Sequence, residues 1–287
     1  MAQPRVLLEL DDPHRTSAEV VPTLGALVTR LSLGGRELLF LDDATRAAID
    51  ADPEAVDPKA SRRGGIPVLF PSPGRLKADP FEAEGRYGSL KNHGFARDLP
   101  FSITARDRAA VTMRLEATEE TLAHYPWKFA LEIALSLTKT ALVYRVTITN
   151  ADDQTMPCAF GLHPYFAVTN KAGARARTLA THAWDNKTKR HVDVPQPIDF
   201  GGGEVDLHLL DHWTRHLDLD ADGATIRVGG SDDFRTWVLW TLPERPFVCV
   251  EPWTSPGDAL NTKRDLLILA PGETREMSVS IGLASGA

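Results

Sequence analysis

The chain has 287 residues, of which 43% are hydrophobic and 25% charged, and its formal net charge is -7 at neutral pH. This is the balance of a globular protein that can bury a core, and it excludes a disordered chain or a basic nucleic-acid binder. No window approaches the ~18 uninterrupted apolar residues of a membrane helix, and the opening run MAQPRVLLELDDP, broken by Glu9 and two aspartates, is not a signal peptide.

A cytoplasmic protein of one domain, residues 1–287, is therefore expected, since all-β folds often reach this length as a single unit. The first strong turn signal is Leu33-Gly34-Gly35-Arg36. Asp43 to Lys59, rich in Ala, Asp and Glu but holding two prolines, predicts a short helix and then an exposed loop. Beyond it, period-two alternation takes over. Val111, Met113 and Leu115 alternate with Thr112, Arg114 and Glu116. Leu131, Ile133, Leu135 and Leu137 share one face, and after a polar turn Leu142, Tyr144, Val146 and Ile148 share another, which predicts a hairpin. Further turn signals stand at Gly201-Gly202-Gly203, Ala221-Asp222-Gly223 and Ala270-Pro271-Gly272, and Met277 to Leu283 alternates again. The fold class read from these patterns is mainly β, an antiparallel sandwich. Cys158 and Cys249 sit in apolar strand-like runs and read as buried free thiols.

Four segments carry polar residues where strands end. FGLHPYF (160–166) sets His163 between a Gly and a Pro-aromatic pair. A histidine there can donate a proton near neutral pH, or can be a buried ring bonded to a backbone carbonyl. GGIPVLFPSPGRL (64–76) contains Arg75, NHGFARDLPF (92–101) contains His93 and Arg97, and VCVEPWTSPGDALNT (248–262) brings out Glu251 after an apolar run. A carboxylate emerging from such a run can be desolvated into a better base.

Taken together and in this order, the four segments resemble the aldose 1-epimerase (galactose mutarotase) superfamily, especially its glucose-6-phosphate 1-epimerase-like branch. The resemblance implies a large twisted antiparallel β-sandwich with an open sugar cleft on the concave face of a sheet. It implies Glu251 as base and His163 as acid in opening and reclosing a hemiacetal, with His93 holding sugar hydroxyls. Arg75 matches the family's Gly-Arg beside the sugar, and Arg97 shares the His93 motif. Arg63, just before Gly64-Gly65, matches the start of the sugar-phosphate branch, so Arg63, Arg75, Lys77 and Arg97 are a candidate anion pocket. The family also uses an Asp between the two catalytic motifs. Asp211 is the first choice for it and Asp206 the reserve. The expected partner is a small sugar or sugar phosphate, with no cofactor, metal, nucleic acid or membrane, and the protein is expected to be a monomer or weak homodimer.

Three other readings of the sequence stand beside this one. His208, His212 and His216 recur every four residues, a spacing that on a helix face would suit a metal. A glycoside hydrolase would need a second carboxylate facing Glu251. A non-catalytic carbohydrate-binding module could use the same fold.

Overall fold

The computed structural model describes residues 5–60 and 62–284; the first four residues and the last three of the expected single domain lie outside the described residues, as does part of the opening run. Two antiparallel sheets dominate. The larger has nine strands, in the order Ile198–Asp199, Arg175–Arg177, His216–Ala221, Ala224–Gly230, Thr274–Leu283, Ala141–Asn150, Phe129–Leu137, Ala110–Glu116 and Ser102–Arg106. The second has eight, in the order Arg190–Asp193, His182–Asp185, Val205–Leu209, Thr236–Thr241, Phe247–Trp253, Gly161–Leu162 and Val68–Leu69, with Tyr165–Ala167 also paired to Phe247–Trp253. A four-stranded sheet, Val6–Glu9 through Arg36–Glu37, completes the body.

The predicted hairpin forms as its alternation requires. Leu131 pairs with Ile148, Ile133 with Val146 and Leu135 with Tyr144, and all six side chains are buried. Burying each aliphatic side chain of this kind contributes about 1.5 to 3 kcal/mol. The turn between the strands is held by Thr138, whose hydroxyl accepts from the backbone N–H of Ala141 at 3.0 Å. The predicted helix covers Asp43–Ala51, starting at Asp42, whose carboxylate accepts from Thr45 N at 2.9 Å. It stops before Asp52-Pro53, because the residue preceding a proline is pushed out of helical geometry. No helix among the described residues is long and apolar enough to cross a membrane.

The eight-stranded sheet has two contrasting faces, and this positions the site. Leu209, Trp237, Leu239, Val248 and Val250 turn inward and join the main buried cluster, which also takes in Leu131, Ile133, Val279 and Ile281 of the larger sheet. The alternate residues of the same strands point the other way. Trp184 is registered with His208, His208 with Val238, and Val238 with Glu251, so one row of side chains crosses four strands. A second row, two residues along, runs from Asp206 through Trp240 and Cys249 to Tyr165.

Candidate active site

Residues of these two rows, Cys249 excepted, line a cavity of about 780 Å³ together with Gly74, Arg75, Lys77, Asn92 and His93 and with residues 256–258. His163 enters from the two-residue gap between the strands Gly161–Leu162 and Tyr165–Ala167, where its N–H donates to Pro67 O at 3.0 Å. Its ring stacks on Tyr165 (centroids 4.5 Å, interplanar angle 7°) and meets Trp240 edge-on at 5.7 Å. This leaves the imidazole with one short polar approach: Nε2 lies 3.4 Å from Glu251 Oε1. Nδ1 is buried without a partner.

His163 is 6% exposed and Glu251 2%, so neither charge has water to stabilise it. Burial, reinforced by His93 and Arg97, pushes His163 well below its ordinary value. Burial and the nearby Asp206 push Glu251 well above the usual carboxylate range, against the hydrogen bond from Trp253. Both shifts disfavour the charged form of each partner. A neutral carboxylic acid with neutral imidazole, and a carboxylate with imidazolium, have the same proton count, and a bound ligand's hydrogen bonds decide between them.

His93 stands beside this pair, its ring centroid 5.5 Å from that of His163. Its Nδ1 is 2.6 Å from Pro73 O. A carbonyl only accepts, so Nδ1 carries the proton and the Nε2 lone pair is left to accept a hydrogen bond. Burial lowers the His93 pKa to about 4, which keeps the ring neutral.

The expected binding residues divide. Arg75 and Lys77 line the cavity from its exposed rim, with the Lys77 ammonium 5.8 Å above the Trp184 ring. Arg63 and Arg97 do not line it, so the four-cation pocket read from the sequence is not assembled there. Arg63 is exposed, and Arg97 lies 3.7 Å from the buried Asp98, although its charge still reaches His93 and His163. Lys189 and Arg264 take their places on the rim.

The two aspartates also exchange order. Asp211 lies past the end of its strand, outside the cavity lining, and accepts from the backbone N–H groups of Thr181 (3.0 Å) and His182 (3.0 Å) and from the Thr181 hydroxyl (2.6 Å). Partial burial opposes the shift, but these donors hold its carboxyl below the ordinary range. Its oxygens are occupied in tying two loops together. Asp206 instead faces the cavity, accepts from Asn186 Nδ2 at 2.8 Å and lies 3.3 Å from His208 Nε2.

The histidine triplet is not a helical face. His208 is on the strand Val205–Leu209, His212 is in the following loop, and His216 opens the strand His216–Ala221. His212 donates from Nε2 to His216 O (3.0 Å) and accepts at Nδ1 from Thr178 Oγ1 (2.6 Å), which takes up both of its nitrogens. Among the described residues, the ligand atoms that come together closely enough to share a metal are those of His163, Cys249 and Glu251, mutually within 4.8 Å. Burial and Glu251 raise the Cys249 thiol, which keeps it protonated and a poor ligand at neutral pH. Both cysteines are buried and free, as expected.

Sequence reading missed Trp184, Trp240, Trp253 and Asn186 as cavity residues. Only strand alternation from a known cavity residue, such as Glu251 to Trp253, could have pointed to one of them.

The sequence profile of the aldose 1-epimerase family matches residues 6–282. The chain belongs to that family. It is similar to the solved structure of Slr1438 from Synechocystis sp. PCC 6803 at 30% identity and a TM-score of 0.89, covering 99% of this chain and 97% of that one. It shares its fold with a galactose mutarotase-like protein from Lactobacillus casei at 22% identity and a TM-score of 0.79, over 98% of this chain and 100% of the other. It is also 28% identical over 176 residues, 57% of this chain and 47% of the relative, to a Cenchrus ciliaris protein provisionally named glucose-6-phosphate 1-epimerase.

Proposed function

We propose that the protein is a cofactor-independent aldose 1-epimerase that interconverts the anomers of a hexose or a hexose 6-phosphate. The observation that carries this reading is the buried contact of His163 Nε2 with Glu251 Oε1, 3.4 Å apart on the floor of a sugar-sized cavity. Glu251 takes the proton of the C1 hydroxyl while His163 gives its own to the ring oxygen, the C1–O5 bond breaks, and an open-chain aldehyde forms. After rotation about C1–C2, the same two protons return in reverse and the ring closes from the other face. A C1 hydroxyl donating to Glu251 and a ring oxygen accepting from His163 both favour the carboxylate–imidazolium form of the dyad. Binding therefore arms the acid and the base together.

His93 Nε2 and Asp206 are the acceptors for the remaining hydroxyls, and the cationic rim is where a 6-phosphate would be received. The test is polarimetric anomerisation of glucose, galactose and glucose 6-phosphate compared side by side, with folded His163→Asn and Glu251→Gln variants. Each variant is expected to lose about 10²-fold or more in kcat, as for removal of a positioned proton-transfer group. Wild-type inactivity on all three sugars would favour a binding module, and a Glu251→Gln variant with near-normal turnover would remove the base.

A further inference from the structure

Trp253 is buried, at 3% exposure, yet it borders the cavity. Its indole Nε1–H donates to Glu251 Oε2 at 3.2 Å, the carboxylate oxygen that does not face His163. The two oxygens of Glu251 are thus given different neighbours, Oε1 the imidazole and Oε2 the indole. The ring of Trp253 also meets two histidines edge-on: His208 at 5.3 Å and 89°, and His93 at 6.4 Å and 77°.

The space for this indole is provided by glycines. Gly161 is registered directly opposite Trp253, and a Cβ there would lie 2.6 Å from Trp253 Cδ1. A Cβ at Gly74 would lie 3.2 Å from Trp253 Cζ3. Leu69 and Val238 pack against the same ring in a small buried cluster. A side chain seated this closely has one available rotamer, so its N–H points in a fixed direction.

We propose that Trp253 is a positioning residue whose indole N–H fixes Glu251 Oε2, so that Oε1 alone is presented to His163 and to the C1 hydroxyl, while its ring sets the orientation of His93 and His208. This rests on the reading of Glu251 as the base. A carboxylate on a single-bond swivel can present either oxygen, and anchoring one of them removes that freedom before substrate arrives. The N–H also favours the charged carboxylate, against the burial that raises its pKa.

The experiment compares wild type, Trp253→Phe, Glu251→Gln and the double variant. Incorporation of benzothienylalanine at position 253, which replaces the N–H by sulfur in a ring of the same shape, guards against a packing or folding effect of Phe. Loss of the N–H is expected to lower kcat about tenfold with KM little changed. The ionisation of Glu251 in the kcat/KM profile is expected to move to higher pH, because loss of the N–H removes a hydrogen bond that favours the carboxylate. In the Glu251→Gln background the same Trp253→Phe change is expected to have no further effect on kcat, the signature of a residue acting through its partner. An equal loss in both backgrounds, or wild-type kcat and an unmoved pH profile in the benzothienylalanine protein, would overturn the proposal. Full turnover by Glu251→Gln would instead sink the assignment of the base, and this inference with it, so the two failures are told apart by the single variants.

Discussion

Gly94 stands where any side chain would collide with a neighbouring carbonyl, and the position of His93 depends on it. Its φ is +68°, and His93 itself is at +72°, so two consecutive residues lie in the left-handed region. A Cβ on Gly94 would sit 2.2 Å from the Phe70 carbonyl oxygen. That oxygen cannot retreat easily, because it accepts from the N–H groups of Phe95 (3.0 Å) and Ala96 (3.2 Å). Gly94→Ala is therefore expected to cost about 2 kcal/mol or more of stability through overpacking and backbone strain. It should also raise KM for the sugar by turning His93 away. Urea unfolding and steady-state kinetics check this, and a variant as stable as wild type would show that the loop relaxes freely. The motif NHGFAR signalled the histidine in the sequence. The reason for its glycine, the Phe70 carbonyl just past the strand Val68–Leu69 pressing on the backbone, is visible only in three dimensions.

Among the structural elements, the loop that follows Gly74 and the loop at Gly257 act as one clamp. A Cβ on Gly74 would lie 2.5 Å from Gly257 Cα, and Lys77 N donates to Asp258 Oδ1 at 2.9 Å. The clamp carries Arg75 and Lys77 to the cavity rim, where the Lys77 ammonium lies 5.8 Å from the Trp184 ring. A phosphate reaching this rim would gain charge-assisted hydrogen bonds that a neutral hydroxyl cannot make, each worth roughly 1.5 to 3 kcal/mol before solvent screening. Arg75→Ala and Lys77→Ala are accordingly expected to lower kcat/KM for glucose 6-phosphate by up to about tenfold, and for glucose much less. The difference should shrink as salt is added, since both side chains are exposed. Equal losses on both sugars would mean that the rim does not receive a phosphate.

For the molecule as a whole, buried neutral histidines link stability to pH. His212 is 4% exposed and sealed between Thr178 and the carbonyl of His216, and burial lowers its pKa to about 4. The unfolded chain takes up a proton at this residue below about 6.5, whereas the folded protein resists doing so until about 4. Between these values the unfolded state binds more protons, so stability is fully present above pH 6.5 and is lost as pH falls towards 4. Crossing the whole window costs on the order of 3 kcal/mol for this one residue. His93 adds a loss of the same sign. Thermal unfolding followed from pH 7 to 4 is expected to show a falling Tm, with a shallower fall in His212→Gln. An identical slope in the variant would move the acid sensitivity elsewhere.

By itself, the sequence determined the β class and pointed to His93, His163 and Glu251, which the fold brings to one cavity. Period-two alternation is a local property, written in runs such as Leu131 to Ile148, and the faces it predicts are the faces that are buried. The segments around His93, His163 and Glu251 were legible because their motifs and their order resemble those of a known family, although Glu251 stands inside the strand Phe247–Trp253 and not at a strand end as its sequence suggested. Tertiary structure alone decided which acid and which cations share the cavity. Asp206 and Asp211 are five residues apart and alike in composition. One shares a face with His208 on a strand facing the cavity, while the other lies past the strand end, where Thr181 and His182 supply its donors. Arg63 and Arg97 separate from Arg75 and Lys77 for a similar reason. Packing partners far along the chain, such as Arg62, whose guanidinium donates to Arg97 O at 2.9 Å, and the Gly74–Gly257 contact beside Arg75, set where each cation goes, and register and packing between distant segments are not encoded in any short motif.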